Sequence, residues 1–493
     1  MEFKRRILFI RSYQPAGLGG PVPPLELLYI ASSVIKTFGN RYHLKILDTG
    51  IGNLSLTEIE EALEVFSPGI VCLNALVWEA NLVHKIAALS KKANKDTIVL
   101  IQGELASLAK EYLLQDENID CAIIGEGEIT VVEFLKAIEK NGDISKINGI
   151  IYRGNKNIVS TSPRAYIGDL DDFSISFSAW DLIDIKEYAR YSNWNGSLKE
   201  RFYIPILTSR GCPFHCTFCA VRDVFGKGFR ARSPENVLAE IKSLHRNYQV
   251  KEIHIFDAVF NYDKKRAKKI CQLIIASGMN LSLAFPHGIR ADIMDEELIN
   301  LLKEAGTYKL TYGIETATPR LQRMIKKNLK INEAGDIIKK TAQAGIIVAG
   351  YFMLGFPTET AYEMMQTINF AVNSDLDLAY FFKMTLYSDV ITVYQSQLEA
   401  KRGKTEFIYR FEDIGYYSKK RSYAEISPSE LNGLILKAQQ KFYLNLKRII
   451  RGFFRFPHRI LFLRNLLNAS GLILQSYLIR QLPDSPSARP SIK

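Results

Sequence analysis

The sequence predicts two α/β units in tandem: a doubly wound parallel sheet, then a partial parallel barrel of six βα units, followed by a helical C-terminal region. Three observations carry this. Short apolar runs alternate with amphipathic helical patterns five times before residue 150 and six times between residues 201 and 395. The chain has 493 residues, more than one hydrophobic core supports. Its hydrophobic content of 47% and charged content of 24% are ordinary for a globular protein.

In the first series the strand-like runs are Ile7–Ile10, Leu44–Leu47, Ile70–Leu73, Ile98–Ile101 and Ala122–Ile124. Helical patterns at Leu25–Phe38, Leu56–Phe66, Val83–Ala93, Leu105–Leu114 and Val131–Ile138 separate and follow them. Such sheets bind ligands beyond the carboxyl ends of their strands. The positions of interest are therefore Tyr13 to Pro24, Asp48, Asn74, Gln102-Gly103 and Gly125-Glu126-Gly127-Glu128. No G-x-G-x-x-G opens the first helix, which argues against a dinucleotide site.

Pro23-Pro24-Leu25, Asp48, Gly103 and Gly125 to Glu128 resemble the cobalamin-binding domain that precedes many radical SAM catalytic domains. The resemblance implies a Rossmann-like sheet with Asp48, Gly103, Gly125, Glu126, Gly127 and Glu128 at a cobalamin site. A sheet kept only as a scaffold is the alternative. The D-x-H-x-x-G motif that supplies histidine to cobalt in another cobalamin family is missing, and Arg11 to Val22 contains no histidine. Cobalt would then have water or nothing below it, which suits methyl transfer from its upper face.

Residues 146–200 read as a hairpin, Ile147–Tyr152 with Asn157–Ser160, and an irregular connector in which Asp169, Asp171 and Asp172 are solvated or capping carboxylates.

The second series begins at residue 201. Its strands are expected at Phe202–Thr208, Glu252–Phe256, Leu281–Phe285, Lys309–Ile314, Ile346–Leu354 and Leu378–Leu386. The helical patterns are Pro234–Arg246, Lys264–Ser277, Asp295–Ala305, Pro319–Lys327, Ile331–Ala344 and Thr360–Asn373. In a parallel barrel the chemistry lies at the strands' C-terminal ends. There the first strand is followed by Cys212, Cys216 and Cys219, spaced C-x3-C-x2-C. Thiolates are soft metal ligands, and three of them are one short of closing a zinc site or saturating a four-iron cluster. His215 would complete a Cys3His set, yet zinc sites pair two short ligand clusters and no second cluster exists. Later strand ends carry Asp257, then His287 and Arg290, then Glu315, then Gly350 to Gly355. His254 and His287 are read as packing or substrate contacts.

This constellation, with Phe218 before the third cysteine, resembles the radical SAM superfamily. The resemblance implies that the three cysteines hold three irons of a [4Fe-4S] cluster and that S-adenosylmethionine binds the fourth. Reductive cleavage then yields methionine and a 5′-deoxyadenosyl radical. It also implies that Phe218 lies against the adenine, with the Gly350 to Gly355 backbone beneath it. Glu315 would accept hydrogen bonds from the ribose or the ammonium, and Arg290 would pair with the methionine carboxylate. Asp257 replaces the family's Gly-Gly-Glu as ammonium partner. A purely structural ion pair between Arg290 and Glu315 at the barrel rim is the alternative. No residue is assigned as a catalytic acid or base.

The division expected is 1–145 cobalamin-binding-like, 146–200 hairpin and connector, 201–395 radical SAM barrel, and 396–493 basic helical region with a disordered end. Cys72, Cys121 and Cys271 fall in apolar runs and read as core residues of a reducing compartment. The first ten residues are too short in apolar content for a signal peptide, so a cytoplasmic location is expected. The formal net charge of +12 is concentrated in the tail: from Leu431 onward there are eleven Lys/Arg and one acid, Asp484. Helices are expected at Glu399–Arg402, Pro428–Leu446, Arg448–Arg455 and Arg459–Leu467, with Arg448, Arg451, Arg455 and Arg459 lining one face. Such a segment either packs its apolar face on the barrel with its arginines in water, or lies on a membrane surface; nucleic acid is the least favoured partner.

The function expected is radical methyl transfer from methylcobalamin to a carbon of an unknown organic substrate, fed by an electron donor such as a flavodoxin or ferredoxin. A cyclase or rearrangement enzyme with the same cofactors, and a non-catalytic cobalamin-binding regulator, are the alternatives. A methylthiotransferase would need a second cysteine trio in the first unit, which has only Cys72 and Cys121.

Overall fold

Strands β1 (Arg6–Arg11), β2 (His43–Asp48), β3 (Ile70–Asn74), β4 (Ile98–Gln102) and β5 (Cys121–Ile123) pair in parallel in the spatial order 2-1-3-4-5. The computed structural model describes residues 5–13, 20–155, 157–191, 198–385 and 422–464. Helices α1 (Leu25–Phe38), α2 (Leu56–Phe66), α3 (Ala80–Ala93), α4 (Glu104–Ala109) and α5 (Gly127–Glu139) cover both faces. Successive strand side chains point to opposite faces, so Ile7 and Phe9 pack in one core with α1 and α5, while Leu8 and Ile10 pack in another with α2 and α3. The expected hairpin forms as β6 (Ile150–Arg153) and β7 (Ile158–Ser160) and joins this sheet, β6 pairing antiparallel with β5. The connector holds α6 (Phe177–Trp180) and α7 (Ile185–Tyr191).

The second sheet comprises β8 (Ile204–Ile206), β11 (Glu252–Ile255), β12 (Ser282–Ile289), β13 (Thr307–Glu315), β14 (Ile347–Leu354) and β15 (Leu378–Lys383), all parallel in chain order. Among the described residues β8 and β15 do not pair, so the barrel is partial. The run expected as one strand at Phe202–Thr208 is shorter, because Ser209–Arg210 (β9) leaves the sheet to pair antiparallel with Arg230–Ala231 (β10). Helices α9 (Pro234–Tyr248), α10 (Lys264–Ala276), α11 (Glu296–Glu304), α12 (Pro319–Met324), α13 (Ile331–Gln343) and α14 (Ala361–Asn373) form the crossovers. Ser233, Asp263, Asp295 and Thr360 start four of them by accepting the backbone N–H three residues on.

The C-terminal helices Pro428–Tyr443 and Leu446–Arg455 pack on the barrel with their polarity reversed from expectation. Arg448 is buried and donates to the carbonyls of Leu376, Val372, Ser374 and Phe442 at 2.9–3.1 Å. Arg451 bonds Asp375 and the Leu376 carbonyl, and Arg455 bonds Asp377 and the carbonyls of Ala342 and Ile346. Ala342 and Val372 lie in the last turns of α13 and α14, and Ile346, Ser374 and Leu376 just follow them, where helices leave acceptors unpaired and favour cations. The arginines therefore face inward, and Ile450 and Phe454 face outward, 52% and 65% exposed. Arg448→Met keeps the apolar stem but strips four carbonyls of their donor. It is expected to destabilise this docking by roughly 3 kcal/mol, seen as faster hydrogen exchange in Leu376–Lys383 with the first sheet unaffected.

The expected helix Glu399–Arg402, the departing turn Leu386 to Asp389 and the terminal stretch from Asp484 lie outside the described residues. Among the described residues no helix is long and apolar enough to cross a membrane.

Candidate functional site

The cysteine loop runs from β9 to α8 (Val221–Phe225) and is fixed by backbone contacts away from the cavity. Gly211 has φ +75°, and a Cβ there would overlap the Gly228 carbonyl oxygen and lie 3.0 Å from that of Phe225. Thr217 N–H donates to Ile325 O at 3.0 Å, and Cys219 N–H to Cys216 O at 3.3 Å. Cys212, Cys216 and Cys219 line one cavity of about 410 Å³, whereas His215 is exposed. Burial raises all three thiols, Cys219 to about 12; Arg290 and Lys327 pull Cys212 and Cys216 the other way. Among the described residues, no three His, Cys, Asp or Glu side chains are placed to hold a single ion. Thiolates that each take a different iron need no such convergence. The donor set, the shared cavity and the two cations fit an iron–sulfur cluster.

Other strand ends converge on the same cavity. Glu315 ends β13 at φ +66° and accepts from Lys327 Nζ at 2.9 Å, both groups buried. The Lys327 carbonyl accepts from Arg290 Nη2 at 2.8 Å, and the Arg290 guanidinium stacks 3.8 Å over the Phe214 ring. Phe218 lines the cavity, edge-on to Phe356 at 6.3 Å. Lys327 was invisible to motif reading. The expected helix to Lys327 stops at Met324, and Lys326 and Asn328, both left-handed, turn Lys327 toward Glu315. His287 stacks on Phe256 at 4.1 Å on the cavity wall, its ring open to the cavity, and desolvation by the surrounding protein lowers its imidazole to about 4.

Four expectations are corrected by geometry. Arg290 is not free to receive a carboxylate on its Nε–Nη2 edge, because Asp292 occupies it at 2.9 and 2.6 Å. Asp257 does not reach into the cavity: Phe256 and Ala258 line it, so the residue between points away. There it accepts from Thr208 N, Thr208 Oγ1 and Ser209 Oγ at 2.5–2.6 Å, anchoring the entry to the cysteine loop. Gly350 makes room for Leu376 and Phe352, each 2.8 Å from a Cβ placed there. Gly355, at φ +95°, makes room for Leu431 of the C-terminal helix. Both glycines serve packing.

The first unit closes the cavity from the other side with Arg11, Pro23, Pro24, Glu26, Asn74 and Glu79. Asp48 is not part of that wall. It accepts from Gly50 N at 2.9 Å, Tyr188 O–H at 2.9 Å and Arg11 at 3.3 Å, tying β2 to α7. Gly103, at φ +90°, leaves space for the hydrogen-bonded pair Asn74–Glu26, which a Cβ would strike. With Gly125 and Gly127 it lines a small adjoining cavity of about 20 Å³. Gln102 Nε2 is buried nearby with no hydrogen-bond partner, an available donor for a polar ligand group. Glu126 and Glu128 do something else. Glu126 accepts from Arg210 at 3.1 Å, Arg230 at 2.9 Å and Ile167 N at 2.8 Å, and Glu128 pairs with Arg210 at 2.6 Å. Arg210 immediately precedes Gly211-Cys212, so these carboxylates bolt the first unit to the root of the cysteine loop. The wall, the orphan donor and the glycine row fit a large polar-edged cofactor such as cobalamin between the two sheets.

A family model for the B12 binding domain matches residues 16–135, and one for the Radical SAM superfamily matches residues 206–371. An uncharacterized methyltransferase of Pyrococcus horikoshii is 29% identical over 89% of this chain and 91% of its own length. The cytidylyl-2-hydroxyethylphosphonate methyltransferase of Streptomyces wedmorensis is 28% identical over 73% of this chain and 75% of its own length. Among solved structures, the radical S-adenosylmethionine methyltransferase TsrM from Kitasatospora setae, with tryptophan and aza-SAM bound, superposes with a TM-score of 0.67. That match is at 19% identity over 80% of this chain and 76% of that one, a likeness of fold.

Proposed function

We propose, from the premise that this chain is a radical SAM protein with an N-terminal B12-binding domain, that it is a cobalamin-dependent C-methyltransferase. When bound, the [4Fe-4S] cluster and cobalamin supply reductive cleavage of S-adenosylmethionine to a 5′-deoxyadenosyl radical and a methyl group for the carbon that radical activates. The observation that carries the reading is the single cavity walled on one side by the three cysteines and on the other by the strand ends of the B12-binding unit.

Cys212, Cys216 and Cys219 are proposed to hold three irons, leaving one for the amino and carboxylate groups of S-adenosylmethionine. Lys327 and Arg290 offset negative charge beside the thiolates. Phe218 offers its ring to the adenine. Glu315, oriented by Lys327, offers its remaining carboxylate capacity to the ribose or ammonium. Arg11, Asn74 and Gln102 are placed for the polar rim of cobalamin. The apolar and aromatic walls around Phe256, His287 and Tyr351 exclude water, which a radical intermediate requires.

The units are assigned as 1–145 for cobalamin, 146–200 as hairpin and connector, 201–395 as barrel, and 396–493 as basic helical region. The substrate is an organic molecule that fits the aromatic wall. A flavodoxin- or ferredoxin-like donor is proposed to supply the electron, in a cytoplasmic location with the basic C-terminal region at a membrane surface.

Product counting under anaerobic, reducing conditions with substrate tests the function. Methyl transfer predicts 5′-deoxyadenosine and S-adenosylhomocysteine in equal amounts. Deoxyadenosine without homocysteine would point to a cyclase or rearrangement, and neither product to a regulatory protein.

A further inference from the structure

The three arginines that anchor the Leu446–Arg455 helix leave its other face bare. Leu446, Ile450 and Phe454, four residues apart, are 69%, 52% and 65% exposed, and Ile460 in the next turn of chain is 85% exposed. Spacing of four keeps the first three on one side of an α-helix. The residues that would normally explain such a ridge point elsewhere: Arg448, Arg451 and Arg455 are spent on carbonyls and on Asp375 and Asp377. The exposed cations of the C-terminal helices are Lys437, Lys441, Lys447, Arg459 and Arg464; Lys447 follows Leu446 directly and the Arg459 guanidinium lies 5.8 Å over the Phe454 ring. No acidic residue occurs between Glu430 and Asp484.

We infer that this ridge is a membrane-docking surface, and that its partner is the headgroup–acyl boundary of an anionic bilayer. The inference rests on the peripheral location proposed above and specifies which residues make the contact. An apolar ridge with basic flanks and no acid matches that boundary in both polarity and charge. A second protein copy docked ridge to ridge would bring Lys447 and Arg459 of both copies together at a two-fold interface. Arg448, Arg451 and Arg455, three of the row that sequence periodicity offers as the membrane face, point inward and anchor the ridge, while Arg459 stays exposed.

The placement also gives an orientation. The carbonyls that Arg451 and Arg455 bind, Leu376 and Ile346, lie two residues before β15 and one before β14. The ridge therefore lies at the N-terminal end of the barrel strands, and the cysteine cavity lies at the C-terminal end. The bilayer contact attaches the enzyme and leaves its cavity at the opposite end.

The test uses the full chain and vesicles of phosphatidylcholine with or without phosphatidylglycerol, read by co-sedimentation. The wild type is expected to sediment with the anionic vesicles and far less with the neutral ones. Ile450→Glu with Phe454→Glu should weaken that partitioning by about tenfold or more, while deoxyadenosine formation without vesicles stays at the wild-type level. Wild-type protein that binds neither vesicle removes the membrane location altogether. Wild-type binding that the double variant retains leaves the location standing and overturns the ridge as its cause. A wild-type dimer, by light scattering, that the double variant converts to monomer assigns the ridge to a second copy and also overturns the inference.

Discussion

Cys212→Ala, Cys216→Ala or Cys219→Ala is expected to abolish S-adenosylmethionine cleavage, by more than about 10³-fold, since among the described residues no other cysteine lines the cavity to replace a lost ligand. The loop itself should survive each change. Its fixed points are backbone contacts, Thr217 N–H to Ile325 O and Cys219 N–H to Cys216 O, which alanine retains. The bolt between the units, Arg210 with Glu126 and Glu128, also lies outside the three thiols. Cobalamin binding, followed by its visible absorbance on the purified protein, should therefore remain close to wild type. Loss of cobalamin binding together with cleavage would mean that the cluster loop organises the first unit's site as well.

Gly211→Ala is expected to disable the site without touching a ligand. At φ +75° an L-residue is strained by about 1–2 kcal/mol, and the new methyl would in addition overlap the Gly228 carbonyl oxygen. The obstacle is backbone on backbone, so no rotamer change relieves it. The Phe225–Gly228 segment must move, taking with it β10, whose Arg230 pairs with Glu126. Iron content after anaerobic reconstitution should fall several-fold, with the far-ultraviolet circular dichroism unchanged. Gly228→Ala is the control. A Cβ there meets nothing within 4 Å, and cluster loading should be retained.

What was legible in the sequence was the period and the position of strand ends. The cysteine trio, Phe218 and Glu315 could be placed at one cavity because parallel βα units put their C-terminal ends together. Which way a strand-end side chain points was less legible. Asp257 occupies the position next to a cavity-lining residue, and one step in a two-residue period moves it to the far side, onto Thr208 and Ser209. At Gly350 and Gly355 the groups that crowd a Cβ are Leu376, Phe352 and Leu431, neighbours that depend on tertiary packing and leave no trace in the local sequence. Glu126 and Glu128 follow a strand of the first unit, yet their partners Arg210 and Arg230 lie far away in sequence. Lys327 had no signal except an interrupted helix. The C-terminal arginines show the limit of amphipathicity as a guide: a helix face of alternating sign of hydropathy says that two faces differ. It does not say which one packs when the neighbouring surface is made of helix C-termini and aspartates.

The measurement closest to the central claim is electron paramagnetic resonance of the anaerobically reconstituted, reduced full-length protein, recorded before and after adding S-adenosylmethionine. Three cysteines and, among the described residues, no fourth ligand predict a reduced [4Fe-4S] signal whose shape changes on addition, because the cosubstrate would bind the open iron directly. A cluster signal that S-adenosylmethionine leaves unchanged would contradict the account.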